Sequence, residues 1–147
     1  MKKNEIKRET YLEKLEDFKD SDFVKVFTGS RKSKKTSLLH IWADELEKKG
    51  INRDNIIFIS FESPKYYSID NYIDLDKIVY EKTKHLEGTI YLFFDEIQQV
   101  EQWEKSINGY RVCLDCDIYI SGSDPNLLSG ELASILAGRY ITIRISS

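Results

Sequence analysis

Four bases, Arg31, Lys32, Lys34 and Lys35, are crowded between an apolar run (Phe23 to Thr28) and a helical repeat of leucines. They lie in Gly29-Ser30-Arg31-Lys32-Ser33-Lys34-Lys35-Thr36, which matches the pattern G-x-x-x-x-G-K-[ST] at Gly29, Lys35 and Thr36. A tight loop opening a helix turns its N–H groups onto phosphate oxygens, and the helix N-terminus favours the negative charge. In such a loop Lys35 reaches the β- and γ-phosphates and the Thr36 hydroxyl ligates Mg²⁺. The candidate phosphate-binding residues are Gly29, Ser30, Arg31, Lys32, Ser33, Lys34, Lys35, Thr36 and Ser37. Lys34 occupies the place of the second glycine. A side chain there costs on the order of 1–2 kcal/mol if φ must be positive, and it can crowd the phosphate. It also adds a positive charge beside an anionic ligand. The competing reading is a basic, solvated loop.

A second cluster is Asp95-Glu96, at the end of the apolar run Ile90-Tyr91-Leu92-Phe93-Phe94. In phosphoryl transfer the first carboxylate, Asp95, holds Mg²⁺, and the second, Glu96, orients or deprotonates the attacking water. Mg²⁺ takes one or two carboxylates with phosphates and water, so a spare donor set suffices. The pair follows Lys35 by 60 residues, with one strand and one helix between, the spacing of a P-loop ATPase with an additional strand. A third strand end, Ile120-Ser121-Gly122-Ser123-Asp124, offers Ser123 or Asp124 to polarise water, while a helix cap at Asp124 before Pro125 is the structural alternative. Arg139 is a candidate arginine finger or an ion-pair partner. Cys113 and Cys116 form a lone CxxC without two further ligands at paired spacing, which reads as buried reduced thiols rather than zinc.

The elements that position these groups follow from periodicity. Tyr11, Leu12, Leu15 and Phe18 give an amphipathic helix over 5–19. A β-rich run at 23–28 precedes the loop, and Leu38, Leu39, Trp42, Ala43 and Leu46 mark the helix after it, closing at Gly50. Ile56 to Phe61 reads as a strand, 69–86 as a helix, and Thr89 to Phe94 as a strand. A helix face follows at Val100, Trp103, Ile107 and Tyr110, then a strand at Asp117 to Ser121, a short helix from Leu127 to Leu136, and a last strand at Tyr140 to Ile145. Phe58, Phe61, Phe93, Phe94 and Trp103 are expected in the core, and Tyr66-Tyr67 as an exposed loop pair. Apolar strands alternating with helices specify an α/β fold, a parallel sheet covered on both faces, with ligands beyond the carboxyl ends of the strands.

Composition sets the outer bounds. A single domain of 147 residues and 17.3 kDa buries roughly 68–70% of its unfolded surface without disulfides or metal. Charge is 22 basic against 25 acidic residues, a net −3, which argues against nucleic-acid binding by this domain alone. The longest apolar runs are about five residues, against the ~20 of a membrane span. The start has no signal-peptide pattern, and the expected location is the cytoplasm.

The chain resembles the AAA-like P-loop ATPases of bacteria and archaea, whose ATPase core usually precedes a C-terminal domain of unknown function. The likeness rests on Arg8-Glu9-Thr10-Tyr11-Leu12, Lys25-Val26-Phe27-Thr28-Gly29-Ser30-Arg31-Lys32 and Leu92-Phe93-Phe94-Asp95-Glu96-Ile97-Gln98. It continues through Gln99 to Glu104, Asp117 to Ser123, Leu127-Leu128-Ser129-Gly130-Glu131-Leu132-Ala133 and Gly138-Arg139-Tyr140. The resemblance implies a three-layer core over 1–147 with a five-stranded, mostly parallel sheet in which the first strand lies between the fourth and fifth. It implies ATP and Mg²⁺ held by Gly29, Lys35, Thr36 and Asp95, with Glu96 as catalytic carboxylate and Arg139 matching a common family arginine. Lys34 replaces the family's glycine and Asp124 its usual asparagine, and family members continue past the last strand of the core. The expected function is ATP binding with Mg²⁺-dependent hydrolysis weak or lost through Lys34, with a homo-oligomer or a protein as partner. The alternative is a degenerate fold kept as a protein-interaction module without nucleotide.

Overall fold

The computed structural model describes residues 3–127, 129 and 134–146. Among them, α1 (Lys3–Phe18), β1 (Val24–Thr28), α2 (Lys35–Lys48), β2 (Ile56–Ser60) and α3 (Tyr72–Thr83) come first. They are followed by β3 (Ile90–Asp95), α4 (Trp103–Cys113), β4 (Cys116–Gly122) and β5 (Tyr140–Arg144). The five strands form one sheet in the order β2-β3-β4-β1-β5, every pair parallel, with β1 between β4 and β5.

Side-chain alternation along the strands builds the layers. Val24 and Val26 on β1 face one side with Leu92, Phe94, Ile118 and Ile120, where α3 and α4 contribute Leu75, Val79, Ile107 and Tyr110. Phe27, Tyr91, Phe93 and Tyr119 face the other side, against Leu39, Trp42, Ala43 and Leu46 of α2 and Leu15 of α1. Each of these buried large side chains contributes about 1.5–3 kcal/mol, which fixes α2 and the loop before it over β1. Helix α1 also guards the free edge of β5, with Tyr11 Oη donating to the Arg144 carbonyl (3.2 Å) and Lys14 Nζ to that of Thr142 (3.0 Å).

Several expectations change at element ends. Strand β2 stops at Ser60 rather than Phe61, and α3 starts at Tyr72 because Asn71 Oδ1 caps it, accepting from Ile73 and Asp74 N–H at 3.0 Å each. Val100 packs in the core ahead of α4, which begins after Gln102 in a left-handed conformation. Tyr66 is buried while Tyr67 is exposed, so the two do not form an exposed pair. Cys113 is exposed and Cys116 half-buried, both free, which corrects the expectation of two buried thiols. Half of the helix expected from Leu127 to Leu136, residues 128 and 130–133, lies outside the described residues.

The sheet also carries a buried charge pair that periodicity does not show. Lys25 Nζ on β1 donates to Asp117 Oδ1 on β4, with both side chains fully buried. Asp117 Oδ2 accepts from Tyr119 Oη (2.7 Å) and from the Asp20 N–H (2.9 Å), and Tyr91 Oη donates to Asp20 Oδ1 (2.6 Å). This network ties the turn after α1 to the amino ends of the strands. Burial nevertheless keeps the Asp117 carboxyl above its usual range, against the pull of Lys25 and these donors.

Candidate functional site

Because all strands run parallel, the loops after β1, β2, β3 and β4 share one edge of the sheet. The loop after β1 begins at Gly29, where only glycine fits. A Cβ there would lie 2.7 Å from the Ile145 carbonyl oxygen and 2.7 Å from Ser33 Oγ. Ser33 tightens the loop through N–H and Oγ bonds to the Ser30 carbonyl, at 3.0 and 2.7 Å. Lys34 then stands at the N-cap of α2 with φ −94° and no side-chain cap. That φ is available to any residue, so glycine's conformational freedom is not required at this position. The expected strain at Lys34 is absent, and its side chain is exposed.

Lys35, in contrast, is buried at 2% exposure. Its three ammonium protons match three acceptors: Glu96 Oε1 at 2.8 Å, Ser123 Oγ at 2.7 Å and the Ser30 carbonyl at 3.1 Å. Ser123 Oγ donates its own hydrogen bond to Glu96, lying 2.7 and 2.9 Å from the two carboxylate oxygens. Gln98 Nε2 donates to Glu96 Oε2 at 2.7 Å. Burial alone would raise the Glu96 carboxyl, but donation from Lys35, Gln98 and Ser123, with the lysine's charge, holds it below its usual range. Glu96 is therefore an anion at neutral pH. Its backbone is left-handed, φ 57°, a conformation of order 1–3 kcal/mol that the Ser121 Oγ acceptor on its N–H (2.9 Å) helps to hold.

Asp95 lies at the end of β3, buried among three hydroxyls. Thr36 Oγ1 (2.9 Å) and Ser121 Oγ (2.7 Å) donate to Oδ1, and Ser60 Oγ (3.0 Å) donates to Oδ2. Thr36 and Asp95 thus present hard oxygen donors side by side, a set that fits Mg²⁺ completed by phosphate and water. No group of three or more His, Cys, Asp or Glu among the described residues forms a metal cage of its own.

The structure therefore brings Gly29, Ser30, Ser33, Lys35, Thr36, Asp95, Glu96 and Ser123 together. Arg31, Lys32, Lys34 and Ser37 lie exposed around the loop, and Arg31 pairs with Glu62 beyond β2 at 2.6 Å. Asp124 is exposed, its Oδ1 accepting from the Asn126 N–H at 2.8 Å in the turn at 125–127. Arg139 stands at the amino end of β5, across the sheet from the phosphate loop, with Nη1 3.9 Å from Asp22. Ser60, Ser121 and Gln98 were missed by sequence reasoning. Ser60 and Ser121 stand near the ends of apolar runs, a weak signal that only the pairing of β2 and β4 with β3 makes specific.

Comparisons with known proteins follow the same lines. Residues 21–147 match the model of a family described as AAA domain. An uncharacterized protein of Haemophilus influenzae is 46% identical over 145 residues, which are 99% of this chain and 36% of that protein. An uncharacterized protein of Methanocaldococcus jannaschii is 34% identical over 124 residues, 83% of this chain and 26% of that protein. The chain thus spans about a third or less of the length of these relatives. Among solved structures, a chain of Drosophila ORC bound to DNA superposes with a TM-score of 0.63 at 11% identity, covering 98% of this chain and 93% of its own. A DNA replication initiation factor does so with 0.55 at 20% identity, covering 92% and 44%. At these identities the likeness is one of fold. No helix among the described residues is long and apolar enough to cross a membrane.

Proposed function

The chain belongs to the AAA-like P-loop ATPase family, and from that premise we propose that it binds ATP with Mg²⁺ at the phosphate loop and hydrolyses it slowly. The observation that carries the reading is one constellation at one sheet edge: Lys35 on Glu96 and Ser123, beside Thr36 on Asp95. Binding phosphate draws Lys35 from Glu96 to the ligand, exchanging one buried anion for another. Thr36 and Asp95 would hold Mg²⁺, which supplies charge neutralisation of the phosphate oxygens. Glu96, freed and ionised, accepts a proton from water as its oxygen bonds the terminal phosphorus. The bond to the bridging oxygen breaks, and ADP leaves with that electron pair.

The ordinary backbone of Lys34 supports retention of binding, because it removes the conformational argument for a dead loop. Arg139 acts in this reading as the partner of Asp22 within the chain. The proposed unit is the whole of 1–147, with α1 as part of it. Oligomers, in the manner of AAA proteins, and the activities of the longer relatives are further steps on this reading.

The test is calorimetry with ATP in Mg²⁺ and in excess EDTA, on the natural chain and on Asp95→Ala. We expect Mg²⁺ to strengthen ATP binding by about tenfold or more, and Asp95→Ala to lose most of that gain. Equal affinity with and without Mg²⁺ in the natural chain would refute the metal assignment, and no binding in either would refute the reading as a whole.

A further inference from the structure

Glu96 is held at both carboxylate oxygens, and the two holds differ in kind. Oε1 faces Lys35, the group assigned above to phosphate, while Oε2 accepts from Gln98 Nε2 at 2.7 Å. Ser123 spans the two oxygens but is bonded to Lys35 as well. Gln98 is the one of the three donors bonded only to the carboxylate among the described residues.

Local backbone geometry places it there. Glu96 in its left-handed conformation turns the chain into the short 3-10 turn Ile97–Gln99, which carries the residue 98 side chain back against the carboxylate two positions earlier. Gly122 makes the room on the far side, since a Cβ there would lie 2.9 Å from Gln98 Oε1 and 2.6 Å from a Leu127 methyl. The amide can face the carboxylate only with its NH₂ group, because an ionised carboxylate accepts and does not donate. Gln98 Oε1 is then left buried with no donor among the described residues, a cost that nothing else about this side chain offsets.

We propose that Gln98 is a positioning residue for Glu96, keeping the carboxylate aimed at the attacking water after Lys35 has left it for phosphate. The proposal rests on the hydrolytic reading above. It makes Gln98 neutral for nucleotide affinity and significant for turnover, because its contact is with the base and not with the phosphates.

Two variants test it. Gln98→Met keeps the length and fill and removes the N–H donor; Gln98→Glu keeps the shape and sets a second carboxylate against Glu96. Phosphate release is followed against ATP concentration in Mg²⁺, with the Kd for Mg-ATP taken by calorimetry as a check on folding. The expected result is a kcat lowered about tenfold or more in Gln98→Met and further in Gln98→Glu, with KM and Kd within about twofold of the natural chain. Turnover by the natural chain matched by Gln98→Met overturns the inference alone, as does a loss carried by KM or Kd. A natural chain that binds Mg-ATP and never turns over overturns the hydrolytic reading itself, and this inference with it.

Discussion

Lys35→Ala perturbs stability as well as affinity, and the structure gives the size. The substitution leaves Glu96, 3% exposed and held ionised, without its cation. Breaking a buried pair from one side costs about 3–5 kcal/mol, and the low end applies because Gln98 and Ser123 still donate to the carboxylate. A loss of about 3 kcal/mol in a chain of this length lowers Tm by roughly 6–12 °C. Adding Glu96→Gln removes the orphaned charge and recovers about 2 kcal/mol of the loss, a coupling that urea unfolding of the four proteins measures directly. The pH dependence has a definite sign. The folded Glu96 carboxyl is held below its ordinary 4.5, so its stabilisation is complete above that value and is lost as pH falls through the lower folded one. The coupling should therefore hold at neutral pH and fade in acid, below the ordinary carboxylate range, as Glu96 takes up its proton. Additive losses at pH 7, within about 0.5 kcal/mol, would mean that Lys35 and Glu96 do not meet, and would refute the reasoning.

Other substitutions probe other features. Lys34→Gly relieves no strain at φ −94° and removes one cation near the ligand, so Mg-ATP affinity should fall about two- to fivefold in calorimetry; a tenfold gain would restore the argument from glycine. Asp117→Ala leaves Lys25 fully buried and unpaired, and should cost about 3–5 kcal/mol in urea unfolding; a loss under about 1 kcal/mol contradicts the buried pair. Burial, with Asp117 and Asp115 nearby, pushes the Cys116 thiol up to about 12, while Cys113 is exposed. Iodoacetamide at about pH 8 should modify Cys113 at least about tenfold faster than Cys116, as peptide mass mapping over time will show, and equal rates would contradict the burial.

Much of the fold was legible because it is local or periodic. Apolar strands alternating with helices leave a covered parallel sheet as the consistent arrangement, and the ends of its strands give the site's location. The phosphate loop and Asp95-Glu96 were legible for the same reason, each being a short run at an element boundary. The register was not. Ser60 stands beside Asp95 only because β2 and β3 pair in that alignment, and a serine closing an apolar strand looks like any other strand end. Lys25 and Asp117 lie 92 residues apart, Lys25 within one apolar run and Asp117 at the start of another, and only the pairing of β1 with β4 joins them. At Lys34 the pattern specifies a residue type that stands in for a backbone angle, and the angle itself is ordinary. Gln98 depends on the left-handed Glu96, a single-residue conformation that leaves no periodic trace.

The most direct test of the central claim is Mg-ATP calorimetry on the natural chain beside Lys35→Ala, at a temperature where unfolding curves show both fully folded. The natural chain should bind, and the variant should lose about thirtyfold or more in affinity, because a charge-assisted contact to phosphate is removed. Unchanged affinity in folded Lys35→Ala would contradict it, and would show that nucleotide is held elsewhere than at this loop.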